Sequence, residues 1–85
     1  MNVTVLFFAS LREALGTGRE QIDLPDGVAT AGQLRAFLRM RGQAWEQALG
    51  EASALRVAVN QVMADPATPL LPGSEVAFFP PVTGG

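Results

Sequence analysis

Apolar and polar residues alternate in several short stretches of the chain, and each stretch predicts a β-strand. In residues 3–8, Val3, Val5 and Phe7 form a wholly apolar row, which we expect to face the core. Phe8 then lies on the less buried side of that strand. Residues 20–24, 55–60 and 75–79 predict three further strands, and residues 62–63 predict a brief edge strand.

Two capping motifs mark the starts of predicted helices. Ser10 and Glu13 fit a capping box in front of a short helix that ends at Gly16, while Thr30 and Gln33 fit a second box in front of the main helix. The main helix ends near residue 42, and its apolar residues recur at helical spacing: Ala31, Leu34, Phe37 and Leu38.

The polar side of the main helix is rich in arginine. We expect Arg35, Arg39 and Arg41 to point mostly outward. Residues 45–49 predict one more short helical piece, with Trp45 at the edge of the core. The order strand, strand, main helix, strand, strand predicts a small α+β domain.

The composition excludes several classes of function. The 85 residues make one domain, and 48 % hydrophobic against 16 % charged residues is typical of a folded chain. The net charge is −2, and no basic patch is visible, so we expect no nucleic-acid partner. Cysteine and histidine are absent, which argues against a Cys/His metal site, a thiolate nucleophile and the usual general base. We therefore expect no metal and no bound cofactor.

The same sequence gives no sign of a membrane segment. No apolar run approaches the roughly 20 residues that span a bilayer, and residues 3–9 lack the basic flank of a signal peptide. We expect a cytoplasmic protein without a membrane partner.

The last six residues predict a projecting tail, 80–85, behind a domain of residues 1–79. Pro80 and Pro81 block ladder hydrogen bonds and favour an extended path, and six residues reach roughly 20 Å. Gly84 and Gly85 have no side chains, so they fit a narrow channel. An α-carboxylate on Gly85 can attack the α-phosphate of ATP, and a sulfur nucleophile then converts the acyl-adenylate to a thiocarboxylate. Both steps require another enzyme.

Three segments resemble the small-subunit family of molybdopterin synthase, which consists of ubiquitin-like sulfur carriers. The strongest is the tail signature of residues 75–85, Glu-Val-Ala-Phe-Phe-Pro-Pro-Val-Thr-Gly-Gly. Residues 5–13 with Gly16 are similar to the family's opening strand and first helix, and residues 57–60 are similar to its middle strand. Ser74 stands where the family commonly has Asp; we interpret this difference as tolerable. The resemblance implies a β-grasp fold, with a mixed sheet curled around one main helix.

The resemblance also implies a function. An ATP-dependent adenylating enzyme would activate Gly85, whose carboxylate becomes a thiocarboxylate, with Gly84 giving clearance. The loaded chain would then join the large subunit in a heterotetrameric synthase as a subunit without catalysis of its own. There it would donate sulfur to cyclic pyranopterin monophosphate to form the molybdopterin dithiolene.

A candidate docking surface follows from the strand faces. Phe8 and Phe79 both lie on the less buried sides of their strands, and we expect one exposed patch with Met63 beside it and Arg12 at its rim. The remaining predicted partner-binding residues belong to the tail: Pro80, Pro81, Val82 and Thr83.

Three alternatives stay open at this point. A thiamine-type sulfur carrier shares the fold and the Gly-Gly end, although its relatives generally lack the Phe-Phe-Pro-Pro run. A ubiquitin-like modifier would join Gly85 to lysines of target proteins through the same adenylate. A plain interaction module would have an inert tail.

Overall fold

The computed structural model describes residues 1–52 and 54–81. In this part of the chain, five strands and three helices follow one another as β1 Asn2–Phe7, α1 Ser10–Leu15, β2 Arg19–Asp23, α2 Ala31–Arg39, α3 Gln43–Leu49, β3 Arg56–Val59, β4 Val62–Ala64 and β5 Glu75–Phe79. The predicted strands and helices are all present, and the strand boundaries differ by a residue or two. The main helix ends at Arg39, three residues before the predicted end near residue 42. None of the described helices is long and apolar enough to cross a membrane.

The strands form one mixed sheet in the order β2-β1-β5-β3-β4. The central pair, β1 and β5, is parallel, with Thr4 opposite Glu75 and Phe7 opposite Phe78. The other three pairs are antiparallel. This is the β-grasp arrangement, and it confirms the expected α+β class.

The core lies between one face of the sheet and the helices. Val3 and Val5 are fully buried and Phe7 is 1 % exposed, so the predicted inward row is confirmed. The Phe7 ring stacks on Phe78 at 6.3 Å between centroids and meets the edge of Trp45 at 5.6 Å. Trp45 is only partly buried and packs against this cluster, as expected of a residue at the core's edge.

The start of α2 is capped by side-chain hydrogen bonds and is also bonded to a neighbouring loop. The Thr30 hydroxyl accepts from the Gln33 amide at 3.2 Å, and the Gln33 side chain accepts from the Thr30 amide at 3.2 Å, which confirms the second capping box. The Gly32 amide donates to the Pro66 carbonyl at 2.9 Å, which joins the loop after β4 to the helix. A Cβ on Gly32 would stand 2.9 Å from the Pro66 ring, so this close approach requires glycine.

The first capping box is wrong. Ser10 is already the first residue of α1; its N-cap is Ala9, and no side-chain hydrogen bond caps the helix. The chain leaves β1 so tightly that the Leu11 amide donates to the Phe8 carbonyl at 3.1 Å, and this turn draws Ser10 into the helix. Ala9 makes the turn with φ 53° and ψ −128°, a conformation that a residue with a Cβ adopts at a cost. Gly16, with φ 72°, ends the helix as predicted.

Arg35 was expected to point toward solvent, and this prediction is wrong. It is partly buried, and its Nε and Nη2 donate to the carbonyls of Leu49 and Gly50 at 2.6 and 2.7 Å. The last carbonyls of a helix have no partner within the helix, and Arg35 supplies donors to the end of α3. Burial lowers the pKa of Arg35. Spacing along α2 gives the direction of the side chain but not the presence of α3 beside it.

The other two arginines join helices to their neighbours. Arg39 donates to both carboxylate oxygens of Glu46 on α3, at 2.9 and 2.8 Å, and this hydrogen bond lowers the pKa of Glu46. Arg41 pairs with Glu20 on β2 and lies over the Trp45 ring, 4.8 Å from its centroid. Together these contacts hold the helical layer to the sheet.

Ser74 is explained by the turn that leads into β5. It is 3 % exposed, and its hydroxyl accepts from the Leu71 amide at 2.9 Å. An aspartate at this position supplies the same kind of acceptor, which accounts for the exchange of the two residues in a turn.

Replacing Ala9 with glycine is expected to stabilise the protein. Glycine adopts φ 53° without a Cβ clash, and the gain should be about 1 kcal/mol after the entropy cost of glycine is subtracted. Urea unfolding followed by Trp45 fluorescence measures it. Ala14→Gly, inside α1, is the control and should lose about 1 kcal/mol. A loss of stability in both variants would show that Ala9 is not strained.

Candidate docking face and tail

The face of the sheet opposite the helices carries an apolar surface, called here the open face. Strand register and alternation place its apolar residues on one side, because laterally paired residues point the same way. Phe8 is 47 % exposed and Met63 is 56 % exposed, whereas Phe79 is only partly exposed and Ala58 is buried. The apolar members of the open face are Leu6, Phe8, Ala58, Met63, Ala77 and Phe79.

Phe8 and Phe79 lie next to each other at one end of the open face. The pair Phe7 and Phe78 precedes them in the parallel ladder, and the Phe8 amide continues that ladder by donating to the Phe78 carbonyl at 3.2 Å. Two bonds thus fix the Phe8 backbone, since its carbonyl accepts from Leu11. The structure thus places the two predicted residues at neighbouring backbone positions at the end of β5.

Met63 lies farther across the same face. Its partner on β3 is Ala58, which pairs in turn with Ala77 on β5 and so with Leu6 on β1. One apolar row therefore crosses four strands and ends at Met63. Its two central residues are alanines.

Arg12 lies on α1, outside the ladder. Its guanidinium covers Gly18, and a Cβ on Gly18 would stand 2.9 Å from Arg12 Nε. The Gly18 carbonyl accepts from the Phe7 amide at 3.0 Å, so Arg12 sits over the β2 side of the strand end that carries Phe8. The predicted position near the rim is consistent with this placement, and its role in binding stays a prediction.

Two further arginines belong to the open face, and sequence reasoning missed them. Arg19 pairs with Leu6 and Arg56 pairs with Phe79, so both point to the open side. Both residues are exposed. Their positions depend on strand register, which alternation within one strand does not give. With Arg12, they place positive charge around the aromatic end of the open face.

The tail departs from this aromatic end. β5 ends at Phe79, Pro80 is half-buried and Pro81 is exposed. Proline has no amide hydrogen, so the ladder stops there. The predicted tail residues Val82, Thr83, Gly84 and Gly85 lie outside the described residues, and their predicted roles stay predictions.

The described part of the chain offers recognition chemistry rather than a catalytic set. Residues 1–52 and 54–81 contain no group of three or more acidic residues placed to hold a metal ion. A groove of about 240 Å³ lies between α2 and β3–β4, and its lining is apolar apart from Arg35, Arg56 and Asp65. Arg56 and Met63, which register assigns to the open face, also border this groove at the edge of the sheet. No side chain there pairs a nucleophile with a base.

These features define a class: a β-grasp domain with a partly apolar, uncovered sheet face beside its carboxyl-terminal segment. The chain belongs to the ThiS family, whose sequence profile matches residues 5–85. It is 45 % identical over 83 residues to the molybdopterin synthase sulfur carrier subunit of Haemophilus influenzae, covering 98 % of this chain and 99 % of that one. The same subunit of Escherichia coli is 44 % identical over 85 residues, with 98 % and 99 % coverage.

Solved structures show the same fold. Molybdopterin converting factor subunit 1 of Pyrococcus furiosus superposes with a TM-score of 0.79 at 29 % identity, covering 96 % of this chain and 99 % of that one. SAMP1 of Haloferax volcanii gives 0.77 at 28 % identity over the whole of both chains. A chain of the complex of subunits 1 and 2 of molybdopterin-converting factor from Helicobacter pylori gives 0.69 at 26 % identity, again over both whole chains.

Truncation of two neighbouring phenylalanines should cost very different amounts of stability. Phe7→Ala removes a ring that is 1 % exposed and should cost about 3–5 kcal/mol of unfolding free energy. Phe8→Ala removes a ring that is 47 % exposed and should cost about 1 kcal/mol or less. Urea unfolding of both variants measures the difference. Equal losses would mean that Phe8 belongs to the core and not to a docking face.

Proposed function

We propose that this chain is the sulfur carrier and small subunit of a molybdopterin synthase. The observation that carries the proposal is the full-length similarity to proteins of that name, at 44–45 % identity over 98 % of the chain. The structure supports it with an apolar face beside the root of a Gly-Gly tail, the arrangement that a carrier needs to be held by one enzyme and to extend its terminus into another.

The chemistry takes place at the carboxylate of Gly85. One of its oxygens attacks the α-phosphate of ATP, forming a C(O)–O–P linkage with release of pyrophosphate. A sulfur nucleophile then attacks the carbonyl carbon; the bond to AMP breaks, and loading ends in a thiocarboxylate. In the synthase, the sulfur atom bonds to cyclic pyranopterin monophosphate, water hydrolyses its bond to the Gly85 carbonyl carbon, and a second loaded chain supplies the second sulfur of the dithiolene. Gly85 finally returns to the carboxylate and is loaded again.

Neither the loading of Gly85 nor the transfer of its sulfur uses a catalytic group of this chain. The sequence has no histidine or cysteine, and the described residues supply no metal ligands in a cluster. Activation therefore falls to an ATP-dependent adenylating enzyme, and transfer falls to the large subunit. The need for ATP supports a cytoplasmic location. The chain binds no cofactor in this proposal, and the thiocarboxylate on Gly85 is its one modification.

The open face is the proposed binding surface for both partners. The Helicobacter pylori structure shows a protein of this fold in complex with subunit 2 of molybdopterin-converting factor, which supports a large-subunit partner and a heterotetrameric assembly here. A tail of six residues reaches roughly 20 Å from Phe79, far enough to enter a partner whose surface rests on the open face. Arg12, Arg19 and Arg56 favour a partner with acidic residues around its own apolar patch.

A second function, as a protein modifier, is favoured by one observation. The fold matches SAMP1, and another similar structure is described as small archaeal modifier protein 1 from the same organism. The two functions share the adenylate and differ in the nucleophile that follows, sulfur or a lysine amine. The thiamine-type carrier has the weaker support, because the curated relatives named above are both molybdopterin synthase subunits.

Loading with sulfur is the test of the proposal. The intact chain is incubated with its adenylating enzyme, ATP and a sulfur donor, and its mass is measured. We expect the change that corresponds to one oxygen exchanged for sulfur, localised by fragmentation to Gly85. A chain without Gly84 and Gly85 is the control and should show no change. Isopeptide conjugates in place of the thiocarboxylate would favour the modifier function and contradict sulfur loading.

Docking through the open face gives a second prediction. Phe8→Ala should weaken binding of the large subunit by about tenfold or more, because aromatic residues in the centre of an interface commonly contribute 2 kcal/mol or so. Met40→Ala is the matched control: Met40 is 84 % exposed but follows α2, on the other side of the molecule. Titration calorimetry compares the two. Equal affinity in both variants would place the interface elsewhere.

A further inference from the structure

We propose that this chain is built to be chemically inert toward its own activated terminus: it offers one amine, which is bound at the opposite end of the sheet from the tail. The inference rests on the proposed function, because it concerns the period in which Gly85 carries a leaving group. It adds a property that loading alone does not require.

The sequence lacks the side chains that attack activated acyl groups most readily. Its six basic residues are all arginine, so no ε-amine is present, and cysteine and histidine are also absent. Guanidinium stays protonated at neutral pH and is a poor nucleophile. Serine and threonine hydroxyls need an adjacent base to attack, and no histidine can serve as one. Ser74, in addition, is buried in the turn before β5.

The amine that remains is the α-amine of Met1. It donates a hydrogen bond to the Leu24 carbonyl at 3.1 Å and lies 3.8 Å from the Asp23 carboxylate. The Leu24 amide donates back to the Met1 carbonyl at 2.7 Å, so both backbone groups of Met1 are fixed to the end of β2. The Met1 side chain is 19 % exposed. These contacts hold the amine at the end of β2.

The topology adds distance. β1 and β5 are parallel, so Met1 lies at the end of the sheet where both strands begin, and the tail leaves from the end where both strands finish. The six residue steps from Asn2 to Phe8, the residue beside Phe79, span roughly 20 Å, about the full reach of the six-residue tail. The tail must therefore run back along the whole sheet to reach its own α-amine.

The reaction that this arrangement suppresses is simple aminolysis. The amine would attack the Gly85 carbonyl carbon, a C–N bond would form, and the bond to the leaving group would break while the amine loses a proton to water. The product is a dead amide, either a closed ring or a covalent dimer. Suppressing aminolysis keeps the activated carrier available for sulfur. It also prevents one copy of this chain from being attached to another.

A chemically activated chain tests the inference without the adenylating enzyme. The full chain is prepared with Gly85 as the thioester of a small thiol, and the products are measured by intact mass at neutral pH. We expect the wild type to hydrolyse without forming an amide. Arg56→Lys should form the amide at least about tenfold faster than wild type, because residue 56 pairs with Phe79 and brings an amine within reach of the tail.

Two further variants test whether the reaction needs an amine close to the tail or only an amine somewhere on the chain. Arg56→Gln removes the guanidinium without adding an amine and should behave as wild type. Asp26→Lys adds an amine in the turn just beyond the end of β2, at the same end of the sheet as Met1. This variant should form the amide slowly and only between two molecules, so its rate constant should rise in proportion to protein concentration.

Either of two results overturns the inference. One is amide formation by the wild type at Met1, which would show that the α-amine is not held back. The other is an Arg56→Lys variant that forms no more amide than Arg56→Gln, which would make the absence of lysine immaterial. Neither result depends on sulfur loading, so failure of the proposed function would be recognised separately in the loading experiment.

Discussion

The parallel pairing of β1 with β5 at the centre of the sheet is the constraint on which the rest of the structure depends. It aligns two strands whose inward residues, among them Phe7 and Phe78, stack to form the core. One residue farther, the same ladder sets Phe8 and Phe79 side by side on the opposite face. It also separates the two termini of the domain, because both strands start at one end of the sheet and finish at the other.

This division of the sheet explains how so small a chain combines a stable fold with a docking surface. The helices cover one face, and arginine contacts from α2 to α3 and β2 hold them there. The other face keeps apolar side chains in water, which costs solubility but leaves a surface ready to be buried by a partner. In the proposed function, the partners supply the catalytic groups, and the chain needs only to be bound firmly and to extend a thin terminus.

Short-range patterns predicted much of this fold. Alternation gave the inward row of β1, and the Thr30 capping box and the edge position of Trp45 were confirmed. The failures came where a residue's environment depends on elements distant in sequence. Ser10 is not a cap because the turn at Ala9 is tighter than the motif assumes, and Arg35 is not solvated because α3 ends beside it.

The candidate site was predicted to the same degree. Phe8 and Phe79 were found from strand faces, whereas Arg19 and Arg56 emerged only from the register between strands. Register depends on the pairing of whole strands, and no pattern within one strand encodes it. The Gly-Gly tail was identified from sequence and family resemblance, since its function lies in a terminal carboxylate rather than in a folded pocket.

Transfer of sulfur out of the loaded chain tests the central claim most directly. The thiocarboxylated protein, carrying labelled sulfur on Gly85, is mixed with the large subunit and cyclic pyranopterin monophosphate in a single turnover. The account predicts that the label lost from Gly85 equals the label gained by the pterin, with two loaded chains consumed for each dithiolene, while Gly85 returns to a carboxylate. Label that stays on Gly85, or product that forms equally well from unloaded protein, would contradict it.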